Sequence, residues 1–227
     1  MEVNRVSTGC KPLDSLLGGG IEKGVISNFY GESGSGKTNV CIQIAAEVTM
    51  NGGKAAYIDT EASFSAERFM QIASEEKLDQ ILLKDATTFE EQEEAIESLE
   101  EVKDDIDIVI VDSMVSLYRL KVNGDNASEI NNELSGQLSK LSGIARKQDI
   151  PVVVTNQVYT SFEKDDLELV GRDVPKYWSK CLVQLSQNSD GQRIAEIAKH
   201  RSIADGERVG FKITDSGLEE DDESGLF

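Results

Sequence analysis

Residues 31–38 read Gly-Glu-Ser-Gly-Ser-Gly-Lys-Thr. Two glycines with four residues between them, followed at once by a lysine and a threonine, form the pattern of a loop that wraps a phosphate. The glycines let the backbone curl around an anion. The amides from Gly34 to Thr38 can then point at a β-phosphate, with the positive end of the following helix behind them. On this reading Gly31, Glu32, Ser33, Gly34, Ser35 and Gly36 shape the cradle, Lys37 reaches the β/γ bridge, and the Thr38 hydroxyl holds a magnesium ion. The ligand this chemistry asks for is ATP with Mg2+. A second carboxylate-bearing position supports it: Asp112 closes the apolar run 106–111, where an aspartate can hold a magnesium-bound water; the bland alternative is a turn cap. A third is Glu61, at the end of Tyr57-Ile-Asp-Thr-Glu, where a carboxylate can polarise the water that attacks a γ-phosphate. Asp59 and Asp14 are rival carboxylates, and the pattern alone does not decide among the three.

These residues need elements to hold them. Val25 to Tyr30 is a short apolar run entering the glycine loop and reads as a strand. Gly36 to Met50 carries Val40, Ile44 and Val48 at helical steps. Lys54 to Asp59 is a second buried strand, Phe64 to Lys77 a helix, and Ile81 to Leu83 a brief strand. Thr88 and Glu91 form a capping box for an acidic helix bearing Ile96, Leu99 and Val102. The run 106–111 is β-branched throughout its middle, as a strand buried on both faces should be. A helix starting near Asn126 carries Ile130, Leu134, Leu138, Leu141 and Ala145, and Pro151 ends it before the strand 152–155. Residues 158–176 have no sustained period and are expected to form a long loop. Strands follow at 182–186, 193–199 and 209–213. Alternating strands and helices predict an α/β fold: a mostly parallel central sheet with helices on both faces and antiparallel strands at the C-terminal edge. The expected division is one domain over residues 1–214 and an acidic, disordered tail over 215–227.

The 227 residues suffice for one well-cored α/β domain. No apolar run approaches the roughly 18 residues of a membrane span, and the N-terminus lacks a secretory pattern, so no membrane partner is expected. Cys10, Cys41 and Cys181 are far apart and read as reduced thiols, which points to the cytoplasm; one histidine, His200, excludes a histidine-rich metal site. Lysine and arginine number 23 against 42 acidic residues, a net charge of −19. Such a surface repels nucleic acid at long range and argues against a simple high-affinity DNA binder, while leaving room for a local basic strip.

Five segments carry a resemblance: residues 7–21 from Ser-Thr-Gly-Cys-Lys-Pro, the glycine loop, residues 59–68 from Asp-Thr-Glu-Ala, Val109-Ile-Val-Asp-Ser, and Val153-Val-Thr-Asn-Gln. In order and together they resemble the archaeal and eukaryotic RecA-type recombinases along nearly the whole chain. The short length resembles an archaeal paralogue branch of the RadA recombinase. The resemblance implies a RecA-like P-loop ATPase core. It implies that Glu61 is the catalytic glutamate, that Gln157 senses the γ-phosphate, and that Arg68 packs on the adenine ring. It further implies a weak ATPase acting in DNA repair and recombination beside RadA, near the nucleoid, and influencing the processing of branched DNA by a nuclease.

The departures from that pattern matter equally. The recombinases carry an N-terminal helix-hairpin-helix domain, expected to be absent here, and polymerise through a Phe-x-x-Ala segment, which does not occur in this sequence. Ala62 stands where they usually have glycine. The loop after Gln157, which touches single-stranded DNA in the relatives, offers Tyr159, Phe162, Lys164, Arg172 and Lys176, but also Glu163, Asp165, Asp166, Glu168 and Asp173. DNA binding is therefore expected to be weak and single-stranded. Lys199 and Arg201 flank His200 at a strand end. In RecA-like and KaiC-like ATPases, cations there reach the neighbouring subunit's nucleotide, so these two are candidate trans fingers in a homo-oligomer. Strand alternation puts both on one side. Two rival readings stand beside this one: a KaiC-type signalling ATPase with a protein client, and a non-hydrolysing ATP-dependent switch.

Overall fold

A computed structural model describes residues 4–102, 106–161, 166–171, 173–188 and 191–221. A ten-stranded sheet forms its centre. Strand β3 (Ile26–Gly31) lies in the middle, after a small antiparallel pair, β1 (Arg5–Val6) and β2 (Ile21–Glu22), that brackets helix α1 (Lys11–Leu16). On one side of β3 run β7 (Val152–Ser161), β6 (Ile108–Asp112), β4 (Ala55–Asp59) and β5 (Ile81–Asp85), all parallel. On the other side β9 (Ser179–Gln187) is parallel to β3, and β10 (Arg193–Lys199), β11 (Arg208–Thr214) and β12 (Gly217–Glu220) follow antiparallel. The expected parallel sheet with an antiparallel C-terminal edge is what forms.

The parallel strands are apolar throughout because both faces are covered. Alternate residues go to opposite layers: Ala55, Tyr57, Ile108 and Ile110 join a core with α1, α2 (Lys37–Met50) and α3 (Ala66–Ile72). Ala56, Ile58, Val109 and Val111 join another with α4 (Phe89–Ser98), α5 (Ser116–Lys121) and α6 (Ala127–Gln148). The capping box of α4 forms as its residue types require, with Thr88 accepting from the Glu91 amide and Glu91 reaching back. Such a cap stabilises a helix by about 1 kcal/mol.

Four expectations are corrected. The helix expected over 64–77 is shorter: Ser65 caps α3, and the chain leaves the helix at Ala73 before a 3-10 turn over Glu75–Gln80. The strand expected over 81–83 runs on to Asp85 as β5, because it pairs with β4 along its whole length. The loop expected over 158–176 instead contains the end of β7, its antiparallel partner β8 (Asp166–Leu169) and helix α7 (Asp173–Trp178). Buried Leu169 and Leu182, with Val158 and Tyr30, supply an apolar cluster that holds this hairpin. The tail expected from residue 215 is ordered as far as Asp221: β12 pairs with β11, and the Leu218 amide donates to buried Gln43 at 2.9 Å. Charge density in 219–223 concealed a strand whose inward residue is Leu218, only 5% exposed.

Candidate nucleotide site

The parallel strands point their carboxyl ends to one side of the sheet. Gly31 of β3 is opposite Gln157 of β7, and Asp59 of β4 is opposite Asp112 of β6. Ligands in open α/β sheets bind beyond such carboxyl ends. From Gly31 the chain makes a tight loop into α2. Gly31 passes so close to β9 that an added Cβ would lie 2.1 Å from the Leu185 carbonyl oxygen. Gly36 caps α2 at φ 102°, a left-handed conformation that favours glycine. Among the described residues no side chain caps the first amides of α2, which leaves them for an anion.

Lys37 is 9% exposed, and its Nζ donates to the Gly31 carbonyl at 3.0 Å and the Glu32 carbonyl at 2.8 Å. Burial lowers its pKa, and the nearby carboxylates of Asp112 and Glu61 work against that lowering. Ser35 in the same loop has a buried hydroxyl with no partner among the described residues. A cleft of about 190 Å³ opens here, lined by Gly36, Lys37, Thr38, Asn39, Glu61, Gln157, Arg193 and Ile213. Unsatisfied amides, a desolvated ammonium and an orphan hydroxyl at one place fit a polyphosphate.

The three rival carboxylates separate cleanly. Asp14 accepts from the Thr8 amide, the Thr8 hydroxyl and the Ser7 hydroxyl, all within 2.8 Å, and thereby fixes the N-terminal loop. Asp59 accepts from the Phe64 amide at 2.7 Å and the Glu61 amide at 3.1 Å, shaping the turn that presents Glu61. Glu61 itself faces the cleft. Its Oε1 accepts from Ser116 Oγ at 2.8 Å and Gln157 Nε2 at 2.9 Å. Ala62, next to it, sits at φ 51°, which accounts physically for a glycine at that place in relatives.

Asp112 is buried at the end of β6 and accepts from three hydroxyls: Thr155 at 2.5 Å, Tyr57 at 2.9 Å and Ser63 at 3.3 Å. Burial, and then the Asp112 charge, push the Tyr57 phenol well above its ordinary pKa. Thr38, the second residue of α2, lines the cleft, and Asp112 lies near enough to Lys37 to act on its charge, so both are oxygen donors of the kind a hard cation takes.

Arg68 donates to Asn39 Oδ1 at 3.0 Å, Gln71 Oε1 at 2.7 Å and the Thr214 carbonyl at 2.6 Å, which fixes its guanidinium plane. Its Nη2 is buried without a partner among the described residues. Sequence reasoning missed Arg193 and Asn39. Arg193 enters from β10, with an Nη1 bond to the Gly191 carbonyl at 2.5 Å and a buried Nε that has no partner among the described residues. No local motif marks it; only sheet order brings it to the glycine loop.

The candidate fingers lie elsewhere. Lys199 is opposite Leu182, itself level with Asn28, so it sits below the strand tips. Its Nζ donates to the Lys176 carbonyl at 2.7 Å and the Ser179 carbonyl at 2.8 Å. Arg201 pairs with Glu22. A register shift between Ile197 and Lys199, and the end of β10 there, break the alternation that would have put both cations on one side. The candidate DNA loop is not a single surface. Tyr159 lies beyond the strand tips and donates to Glu168 at 2.8 Å, whereas Lys176 precedes β9, whose first residue is level with Ile26 at the other end of β3. Phe162, Lys164 and Arg172 lie outside the described residues. Trp178 packs against the α6 layer and donates to Ser135 at 3.0 Å. The thiols are buried, and burial raises Cys10 to about 11 and Cys181 to about 12, so they are unreactive near neutral pH. Among the described residues no helix is long and apolar enough to cross a membrane.

Known proteins are similar to this chain over nearly its whole length. The Rad51 family model matches residues 1–221. The chain is 43% identical over 214 residues to a protein of Methanococcoides burtonii named DNA repair and recombination protein RadB, covering 92% of this chain and 95% of that one. A protein of the same name from Methanosphaera stadtmanae is 43% identical over 215 residues, covering 91% and 92%. A crystal structure of the RadB recombinase superposes with a TM-score of 0.83 at 35% identity, covering 96% of this chain and all of that one. A glycine loop feeding α2, carboxylates on adjoining strand tips, and similarity over nearly the full length of both partners lead to one conclusion: the chain belongs to the Rad51 family, in its RadB group.

Proposed function

We propose that the chain binds ATP with magnesium at the glycine loop and hydrolyses it slowly, as an accessory factor in DNA repair and recombination. The observation that carries this is the coincidence, in one cleft, of free α2 amides, Lys37, and a carboxylate held at the strand tips by Ser116 and Gln157. Magnesium, when bound, neutralises phosphate charge, and Thr38 and Asp112 are the residues that would hold it. Lys37 leaves its carbonyls for the β- and γ-phosphate oxygens. Glu61 takes the proton of the attacking water as its oxygen bonds to the γ-phosphorus and the bond to ADP breaks. Gln157 stands at the γ-phosphate end of the cleft, and Arg68 offers its face to the adenine.

The role in repair follows from the name borne by relatives similar over nearly the whole chain. On this reading the chain works beside a RadA recombinase, binds single-stranded DNA weakly, and bears on branched-DNA processing without building long filaments, since it lacks a Phe-x-x-Ala segment. Slow turnover fits a chain in which, among the described residues, Arg193 is the one arginine lining the cleft beside Lys37, while Lys199 and Arg201 are bound in place below it. A cationic finger from a neighbouring subunit is worth about 10³–10⁵ in related phosphoryl transfers. Equilibrium titration with ATP and magnesium tests the site: the unaltered protein binds, and an equal affinity in Lys37→Ala would remove the glycine loop from consideration.

A further inference from the structure

The two oxygens of Glu61 are not equivalent. Ser116 Oγ and Gln157 Nε2 both reach Oε1, at 2.8 and 2.9 Å. Gln157 in turn accepts at its own Oε1 from Arg119 Nη1 at 2.8 Å. A guanidinium only donates and an ionised carboxylate only accepts. The amide between them therefore has one orientation that satisfies both neighbours: oxygen toward Arg119, NH2 toward Glu61. Its second N–H has no partner among the described residues, and Gln157 lines the cleft beside Lys37.

Ser116 and Arg119 are the first and fourth residues of α5, three apart and so on one face of the helix. The rest of α5 is anchored without them. Leu117 and Tyr118 are buried, the Tyr118 hydroxyl donates to Asn131 at 2.8 Å, and Lys121 bridges Glu90 at 2.7 Å and Glu133 at 2.6 Å. The helix is thus held by its far side, while its near side spends two polar residues on Glu61 and Gln157.

We propose that Arg119 and Ser116 are positioning residues for hydrolysis: Arg119 sets the Gln157 amide with its NH2 toward Glu61, and Ser116 with Gln157 fills Glu61 Oε1, so that Oε2 takes the proton from water. The inference rests on the reading that Glu61 is the base. With two donors on Oε1, both of its in-plane lone pairs are committed. The O–H bond of the attacking water breaks toward Oε2, its electrons enter the new P–O bond, and ADP leaves with the electrons of the old one.

Single-turnover hydrolysis at saturating ATP-magnesium tests the assignment in the full chain. Arg119→Met should lose about tenfold in rate with ATP affinity within about twofold, and Arg119→Lys, which keeps a donor, should regain most of it. In a Gln157→Ala background Arg119→Met should cost less than about twofold more, because its effect passes through Gln157. Ser116→Ala should lose several-fold and Ser116→Thr should not. Equal losses from Arg119→Met with and without Gln157, or no rescue by lysine, would overturn the proposal. The side-chain amide signal of Gln157 in nuclear magnetic resonance provides a second readout that needs no turnover. Arg119→Met should move it, and an unmoved signal would overturn the orientation of the amide. If the unaltered protein does not hydrolyse ATP at all, the hydrolytic reading falls and the role of Oε2 with it. The amide signal then still decides whether Arg119 orients Gln157.

Discussion

Two lysines at different heights of the same sheet make the same kind of bonds. Lys37 donates to the carbonyls of Gly31 and Glu32, and Lys199 to those of Lys176 and Ser179, all between 2.7 and 3.0 Å. Burial lowers the pKa of both. Their surroundings differ. Lys37 has the carboxylates of Asp112 and Glu61 nearby and the unpaired amides of α2 next to it, whereas the charged neighbour felt by Lys199 is another lysine, Lys180. Paired carbonyls alone do not make a phosphate site. What distinguishes the glycine loop is donors left over after folding, with carboxylates to balance a metal. Around Lys199 the donors are consumed in joining α7, β9 and β10.

The largest expected effect is on this contrast itself. Lys37→Ala should weaken ATP binding by about 2–3 kcal/mol, on the order of 100-fold, with little loss of stability, because the desolvation of its deeply buried ammonium offsets its two carbonyl bonds. Lys199→Ala should do the reverse: ATP affinity unchanged, and a fall in melting temperature matching about 1–2 kcal/mol as two carbonyls lose their donor. Calorimetry on both variants measures this. If Lys199→Ala left stability intact and removed only hydrolysis that grows with protein concentration, a trans finger would be the better account.

A smaller effect is expected at the acidic end of the chain. DNA affinity should be low, prefer single strands and fall steeply with salt. Removing residues 222–227 should raise it modestly, since Asp222 and Glu223 repel phosphate. Cutting from residue 218 is not an equivalent experiment, because Leu218 is core and β12 would be lost. Fluorescence anisotropy at two salt concentrations measures it, and an unchanged affinity would mean these charges are remote from the DNA.

The smallest effect concerns His200, near Lys199. Its Nδ1 accepts from the amides of Ser202 and Ile203, both at 3.1 Å, so the folded state holds a neutral ring. Burial, and then the Arg5 charge, lower its pKa. The unfolded chain therefore binds more protons in the window from the folded pKa up to the unfolded value of about 6.5. Stability from this group is complete above that window and declines as pH falls through it. The drop in melting temperature between pH 7.5 and 5.5 should be smaller in His200→Asn, which keeps an acceptor but cannot titrate. An equal drop in both proteins would contradict this.

The legibility of the molecule followed the range of the interactions. The glycine loop, the strand carrying Asp112 and the cap of α4 are local, and each is written in adjacent residues. The sheet class was legible because β-branched runs alternate with helical periods. Arg193, Ser116 and Arg119 were not, since they reach the cleft only through sheet order and the placement of a six-residue helix. Ala62 shows a middle case. The sequence marked it as a departure from the recombinase pattern, and its φ of 51° gives the reason that glycine suits the place.

The central claim is that Glu61, held by Ser116 and Gln157 at the strand tips, is the base for ATP hydrolysis. Single-turnover hydrolysis by Glu61→Gln, beside ATP titration of the same protein, tests it most directly. The substitution keeps the shape and removes the oxygen that accepts the proton, so ATP binding should persist and turnover should fall by about 10²–10⁴. Hydrolysis at the unaltered rate, with binding intact, would contradict the account.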